Sequence, residues 1–412
     1  MPEKAATCPY SGATLPGDGT PLRPSPQLAK WRSEGQAAPL QYQDGHEGLI
    51  AVGYELARSV LEDTRFSMRP ERMPMGPTGH LASKDDLPNA ALPAELPGPL
   101  DEDGQISEGS NLLILDGVEH SRLRRILTPR FSVKQVRARR EWIEAMVASV
   151  LKSFKDKGSP GDVWEDYAKP IAARTHCKVI GIPDSHYNDF VRLFVDSSTA
   201  QQKYDFIREV LEIRKKAPGD DVISDLLALE ELNRHEIEGM LRLLLGAGRD
   251  SVAYLIATTT VALLTNPEQL KILLEKPELI DGAVEEFMRY GSMFLTVFPR
   301  TALEDVELHG VSIKAGQSVS VSTVAANRDP DRWENPDVFD VSRQAAGHIG
   351  FSHGIHSCIG QQLARIEIAE GVRQLIQGLP AMRLVSAEQL EPMHFAHPVA
   401  VYEAGSVMVE WD

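Results

Sequence analysis

The sequence predicts a mainly α-helical protein with small β-sheets, folded as a single domain over residues 1–412. Three observations carry that expectation. Apolar residues recur at helical spacing through most of the chain. Stretches that alternate apolar and polar residues are few and short. No flexible linker long enough to separate folding units interrupts the pattern, so one large unit is favoured over the two or three that length alone suggests.

Composition narrows the possible partners. A net charge of −16 disfavours nucleic acid as a general partner. The three cysteines, Cys8, Cys177 and Cys358, are odd in number and widely spaced, which argues against a disulfide framework and for a reducing compartment. Residues 1–26 are rich in Pro, Gly and polar residues, read as irregular, and carry no secretory pattern. Without an apolar run of about 18 residues no membrane span is expected, and a cytoplasmic monomer is the expectation. Charge is nevertheless uneven. From Arg122 to Arg140 stand eight Lys or Arg and no acid, which reads as an anion-facing surface.

In chain order, a short helix is expected over Gln27–Ser33, a small strand pair at Pro39–Gln43 and Gly48–Val52, and a helix over Tyr54–Glu62. Seven prolines between Pro70 and Pro99 exclude a long regular element and leave a loop. His120 and Arg124, four apart, share one face if their segment is helical and could together hold carboxylates. Ile143, Met146, Val147, Val150, Leu151 and Phe154 mark an amphipathic helix stopped by Gly158. Further helices are expected over Ser185–Val195, Tyr204–Lys215 and Asp220–Leu229.

The longest helix should start at a capping box of Asn233 and Glu236 and run unbroken to Thr265 before Asn266-Pro267. Its centre reads Leu243-Leu244-Leu245-Gly246-Ala247-Gly248-Arg249-Asp250-Ser251. Each interior glycine costs about 1 kcal/mol relative to alanine, so close packing of a helix or a ligand there has to compensate. Helices over Pro267–Lys276 and Pro277–Tyr290 follow, and Glu286 and Arg289 in the second can pair. Strands are expected at Phe294–Phe298, Val306–Ile313 and Ser318–Ser322, then an irregular connection over Ala326–Gly350. A helix over Ile359–Gln377 and a closing strand at Val407–Trp411 complete the chain.

Just ahead of that last helix stands Phe-Ser-His-Gly-Ile-His-Ser-Cys-Ile-Gly, residues 351–360. A thiol at a helix N-terminus meets the positive end of the backbone dipole, which favours the thiolate, a metal ligand. Zinc on His353, His356 and Cys358 is a weaker reading, because structural zinc wants four ligands in paired spacing. Cys8 and Cys177 read as buried apolar thiols.

Phe351, Gly354, His356, Cys358 and Gly360, followed by Leu363-Ala364-Arg365, resemble the heme-binding signature of the cytochrome P450 monooxygenases of the soluble bacterial type, with Ser352 where Gly is usual. The resemblance extends to His120/Arg124 as a propionate pair, to the Gly246–Ser251 stretch as the oxygen-binding motif with Ser251 for Thr, and to Glu286/Arg289. It implies a cytochrome P450 fold with a long central helix over a buried heme b (iron protoporphyrin IX) whose iron Cys358 ligates. Ala247, Gly248, Arg300, His348, Phe351, His356 and Gly360 would join His120 and Arg124 in holding that cofactor. Asp250 and Ser251 would deliver protons, and Arg343 would join Glu286 and Arg289 in locking the chain ahead of the cysteine. The substrate would meet Met73, Met75, Leu92, Leu96, Leu243, Ala247, Phe294, Leu295, Thr296, Val297, Met393, His394 and Phe395, beneath a roof that is short between Gly181 and Asp221.

The activity so implied is insertion of one atom of dioxygen into an apolar small molecule, by hydroxylation or epoxidation. The chain has no Gly-rich dinucleotide motif and no cysteine set for an iron–sulfur cluster. Electrons would therefore come from a ferredoxin and its NAD(P)H-dependent reductase, with the basic segment as the docking face. A peroxide-driven peroxygenase or decarboxylase and a non-catalytic heme sensor are the alternatives. Peroxide turnover equal to ferredoxin turnover marks the first, and heme loading without any oxidised product marks the second.

Overall fold

The computed structural model describes residues 14–42, 45–69, 112–113, 115–195, 198–386, 394–396, 399–402 and 404–412. Met73, Met75, Leu92, Leu96 and Met393 lie outside them, and His394 and Phe395 are placed by backbone alone. Among the described residues helices dominate, and four small sheets flank them.

The largest sheet has five strands in the order Ala37–Gln41, Glu47–Ala51, Ser318–Val321, Arg300–Ala302 and Phe66–Ser67. Its first pair is antiparallel, and Glu47–Ala51 then pairs in parallel with Ser318–Val321. The register Leu49↔Val319 thereby ties an early strand to a late one. Strands His394–Ala396 and Val399–Val401 add to Phe294–Thr296, which brings the C-terminal segment back beside the strand expected to face the substrate.

Several helix boundaries follow from local chemistry. Asn233 and Glu236 form the expected capping box, each side chain accepting from the other's backbone N–H at 2.9 and 3.1 Å. Thr199 and Gln202 form a second one, which starts the helix Ala200–Lys216. Gly158, with φ +90°, ends Arg140–Lys157. The roof interval holds both of its helices, Tyr187–Val195 and Ala200–Lys216.

The expected continuous helix to Thr265 is corrected. It forms two segments, Arg234–Ala247 and Asp250–Thr265, separated by a turn at Gly248 and Arg249. The physical cause is a close approach: a Cβ on Gly248 would stand 2.5 Å from Nδ1 of His176, on the helix Lys169–Ile180. That imidazole is buried, stacks on Phe190 at 5.7 Å, and is held by burial at a pKa of about 4. The second segment is buried without a break from Val252 to Leu263. The C-terminal helix Gln361–Gly378 presses against it at Gly371, where a Cβ would come within 2.7 Å of Ile256. Tyr167 donates to the Gly371 carbonyl at 2.7 Å and fixes that contact.

Candidate active site

The cysteine loop is shaped by its backbone. The Cys358 N–H donates to the Phe351 carbonyl at 2.8 Å, closing the loop on itself. Ser352 sits at φ +61° and Gly354 at +70°, both left-handed. Glycine takes that region freely, while an L side chain is strained there by roughly 1 kcal/mol. Gly354 is also needed for space, since a Cβ would meet the Leu61 carbonyl oxygen at 2.5 Å at the end of the helix Tyr54–Glu62.

The Cys358 side chain is accessible, yet enough protein surrounds it that burial raises the thiol above its ordinary pKa. The Gly360 N–H, Arg124 and Arg365 pull the other way without cancelling the rise. The Gly360 N–H, at the start of the helix Gln361–Gly378, does favour the thiolate, but burial outweighs it. A bound metal ion deprotonates such a thiol outright.

Two carboxylates clamp the loop from the helix Ile280–Tyr290. Glu286, fully buried, accepts from Arg289 at 2.6 and 2.8 Å, from the Asp340 N–H at 3.1 Å and from Arg343 at 3.3 Å. Arg289 and Arg343 in turn donate to the carbonyls of Asn327, Pro336 and Glu334. Glu285 is the second clamp, and nothing in the sequence singled it out. It takes Arg365 at 2.5 Å and His348 at 3.2 Å, and although burial alone would raise it, those two partners hold it down at about 2. His348 accepts from the Gly350 N–H at 3.0 Å, so it braces the loop entrance, and Arg365 lies 4.5 Å over the Phe351 ring.

A second group gathers at the loop's other edge. The helix Gly117–Leu127 carries His120 and Arg124, and Arg124 donates to the Ser357 carbonyl next to the cysteine. The His120 and His356 rings lie 4.3 Å apart, and Arg300, buried, points its guanidinium to the Phe298 carbonyl at 3.0 Å. Asp116 faces His356 at 3.6 Å and accepts from Ser67 at 2.5 Å. Burial pushes this acid up, but the hydrogen bonds bring it to about 2. Both ring nitrogens of His120 are buried without a hydrogen-bond partner. Burial, then His356 and Arg124, lower His120 to about 4, and burial lowers Arg300 to about 10.

His353 turns away from this group, to Glu62 at 2.8 Å and Arg58 at 3.1 Å. Among the described residues no three His, Cys, Asp or Glu converge as a metal site, so His353, His356 and Cys358 do not form the zinc centre weighed above.

On the central helices, Asp250 is half-exposed and paired with buried Arg249 at 2.6 Å, and the Ser251 hydroxyl lies 3.4 Å from the Ala247 carbonyl. Leu243 packs at the edge of the main core, and Leu295 is fully inside it. Phe294 and Val297 join a second cluster under the five-stranded sheet, with Thr296 buried between. The basic segment is less open than its composition suggests. Arg122 pairs with Glu236, Arg130 with Asp220 and Asp225, Arg139 with Asp220, and Arg140 with Asp281 and Glu370. Arg125, Lys134 and Arg137 remain exposed.

A mainly helical domain that presents one cysteine on a doubly clamped loop, with a glycine-broken central helix, is the arrangement of an oxidoreductase of the cytochrome P450 type. Residues 166–379 match the family model described as Cytochrome P450, and the chain belongs to that family of heme-thiolate monooxygenases. Over 400 residues it is 31% identical to cytochrome P450 105C1 of a Streptomyces species, covering 94% of this chain and 95% of the relative. It is 32% identical over 357 residues to the mycinamicin IV hydroxylase/epoxidase of Micromonospora griseorubida, covering 82% and 84%. The solved structure of Streptomyces peucetius CYP105P2 with a biphenyl compound superposes with a TM-score of 0.83 at 29% identity, covering 97% of this chain and 100% of that one. Among the described residues no helix is long and apolar enough to cross a membrane.

Proposed function

We propose that this chain is a cytoplasmic, monomeric hydroxylase or epoxidase of apolar small molecules, holding heme b through Cys358 and drawing single electrons from a ferredoxin served by an NAD(P)H-dependent reductase. The observation that carries the reading is the pairing of an accessible cysteine on a clamped loop with the two unpartnered, buried ring nitrogens of His120 at the loop's edge. Buried polar atoms are nearly always satisfied, and His120, His356, Arg124 and Arg300 together fit the two carboxylates of a heme. The residues present therefore suit the cofactor. Relatives named as hydroxylases of 6-deoxyerythronolide B and of vitamin D(3) support an apolar substrate.

Once bound, a thiolate-ligated heme supplies dioxygen activation and oxygen transfer. The protein's own contribution is positioning, charge and protons. The Gly360 N–H, Arg124 and Arg365 stabilise negative charge on the Cys358 sulfur. Asp250 reaches solvent with half of its side chain and stands beside Ser251, whose long contact to the Ala247 carbonyl leaves the hydroxyl free to turn. That pair can pass protons inward from water. For electron delivery, Arg125, Lys134 and Arg137 are the cations left to meet an acidic ferredoxin. Arg137 lines a cavity of about 160 Å³ with Val133, Val136, Gln362 and Ile366. Arg365, on the cavity wall and over Phe351, joins that surface to the cysteine loop.

The test is spectroscopic. Reduced protein under carbon monoxide is expected to show the red-shifted Soret band of thiolate ligation, and Cys358→Ser is expected to abolish it. An unchanged band in the variant would sink the assignment.

A further inference from the structure

Around the break in the central helix lies a group of cations that the cysteine loop does not use and of which only Arg249 meets the proton pair, through Asp250. Arg242 and Gly246, four apart, share one face of the first segment, and Arg249 follows in the turn that ends it. Arg242 Nη1 comes within 3.6 Å of where a Cβ on Gly246 would stand, so its guanidinium lies along that face toward Ala247. From the roof helix Ala200–Lys216, half-buried Lys203 comes within electrostatic reach of both arginines.

Among the described residues the nearby acids do not balance this group. Glu238, one turn before Arg242, accepts from both Arg208 and Arg234 at 2.8 to 3.2 Å. Asp250 is the partner of Arg249 alone. His176, also facing Arg249, is held neutral by burial. The acids of the roof helix are engaged outward, Asp205 with Gln201, Glu209 with His186 and Glu212 with Lys215. Two guanidinium nitrogens in the group, Nε of Arg242 and Nη1 of Arg249, are buried with no hydrogen-bond partner, and Arg249 is only 4% exposed.

Asp250 offsets one of the three charges, and the half-buried Arg242 and Lys203 beside buried Arg249 leave a net positive group whose unfilled donors are costly unless a further anion joins them. We propose that Lys203, Arg242 and Arg249 form a carboxylate clamp, and that the substrate is an apolar molecule bearing an acid group. The clamp anchors that acid at the roof while the apolar body extends along Gly246 and Ala247 toward the cysteine loop. Phe190 and Phe194, their rings 5.5 Å apart, stand beside the clamp, with Lys203 Nζ 5.8 Å from the Phe194 ring. This inference deepens the oxygenase reading and rests on it for the substrate's fate, but its binding test stands apart.

The holoprotein, checked by its carbon monoxide band, is titrated calorimetrically with dodecanoate and with cholate, each against its methyl ester. At low salt at least one acid is expected to bind about tenfold or more tightly than its ester, as one charge-assisted contact allows. Added salt should shrink the preference, and Arg242→Gln and Lys203→Gln should each remove most of it while leaving the carbon monoxide band unchanged. Equal affinity within both pairs, no binding of either acid, or a preference that survives both substitutions would overturn the clamp. None of those results touches the oxygenase reading, which the carbon monoxide band decides separately.

Discussion

Glu286 accepts four hydrogen bonds, from Arg289, Arg343 and the Asp340 backbone, while His120, on the other side of the same loop, offers two ring nitrogens to no partner. Both residues are buried. The difference separates framework from receiving surface. Glu286 and Glu285 gather their cations from the chain itself, so the entrance to the cysteine loop is held by protein alone. The His120 edge and the Arg242–Arg249 group keep donors unfilled, as a surface does that is completed by a ligand.

The largest expected effect tests the framework. Glu286→Gln strips the charge from a site where Arg289 is fully buried, and unfolding in urea should show a loss of about 3–5 kcal/mol, the usual cost of breaking a buried pair from one side. A loss below about 1 kcal/mol would show that the clamp carries little of the loop's stability.

His120→Gln should do the opposite. It should leave the stability of cofactor-free protein at neutral pH nearly unchanged and speed heme transfer to an acceptor apoprotein by about tenfold. The same variant has a pH signature. Burial holds His120 at about 4 in the folded chain, below the ordinary 6.5, so the unfolded chain binds the proton more readily. Its contribution is complete above about pH 6.5 and is lost as pH falls toward 4. Cofactor-free protein should therefore lose stability over that window more steeply than the variant does, and identical slopes would count against the assignment.

The smallest effect lies within the loop. Ser352→Gly relieves a left-handed φ of +61° and should raise stability by about 1 kcal/mol. A neutral or destabilising result would mean that the serine side chain makes up the backbone cost.

The sequence made the loop, its cysteine and the order of the distant pairs legible, because each depends on residue type and local spacing. What escaped it depended on neighbours far along the chain. The basic segment looked uniformly open until Asp220, Asp225, Glu236, Asp281 and Glu370 took up half of its cations. The helix Lys169–Ile180 went unpredicted because it is buried nearly all round and so shows no single apolar stripe. Gly248 signalled a close approach, but only His176 explains why the helix breaks there. Glu285 stood beside the conspicuous Glu286 with no spacing of its own to mark it.

The break at Gly248 and Arg249 also bears on motion. A continuous helix opens its hydrogen bonds as one cooperative unit, whereas two segments can open separately. The first, Arg234–Ala247, packs against the roof helix Ala200–Lys216, and the second is sunk in the core. Amide hydrogen exchange should accordingly proceed in two regimes along this one stretch of chain. The roof and the first segment can then shift together to admit a substrate while the cysteine loop and the second segment stay in register.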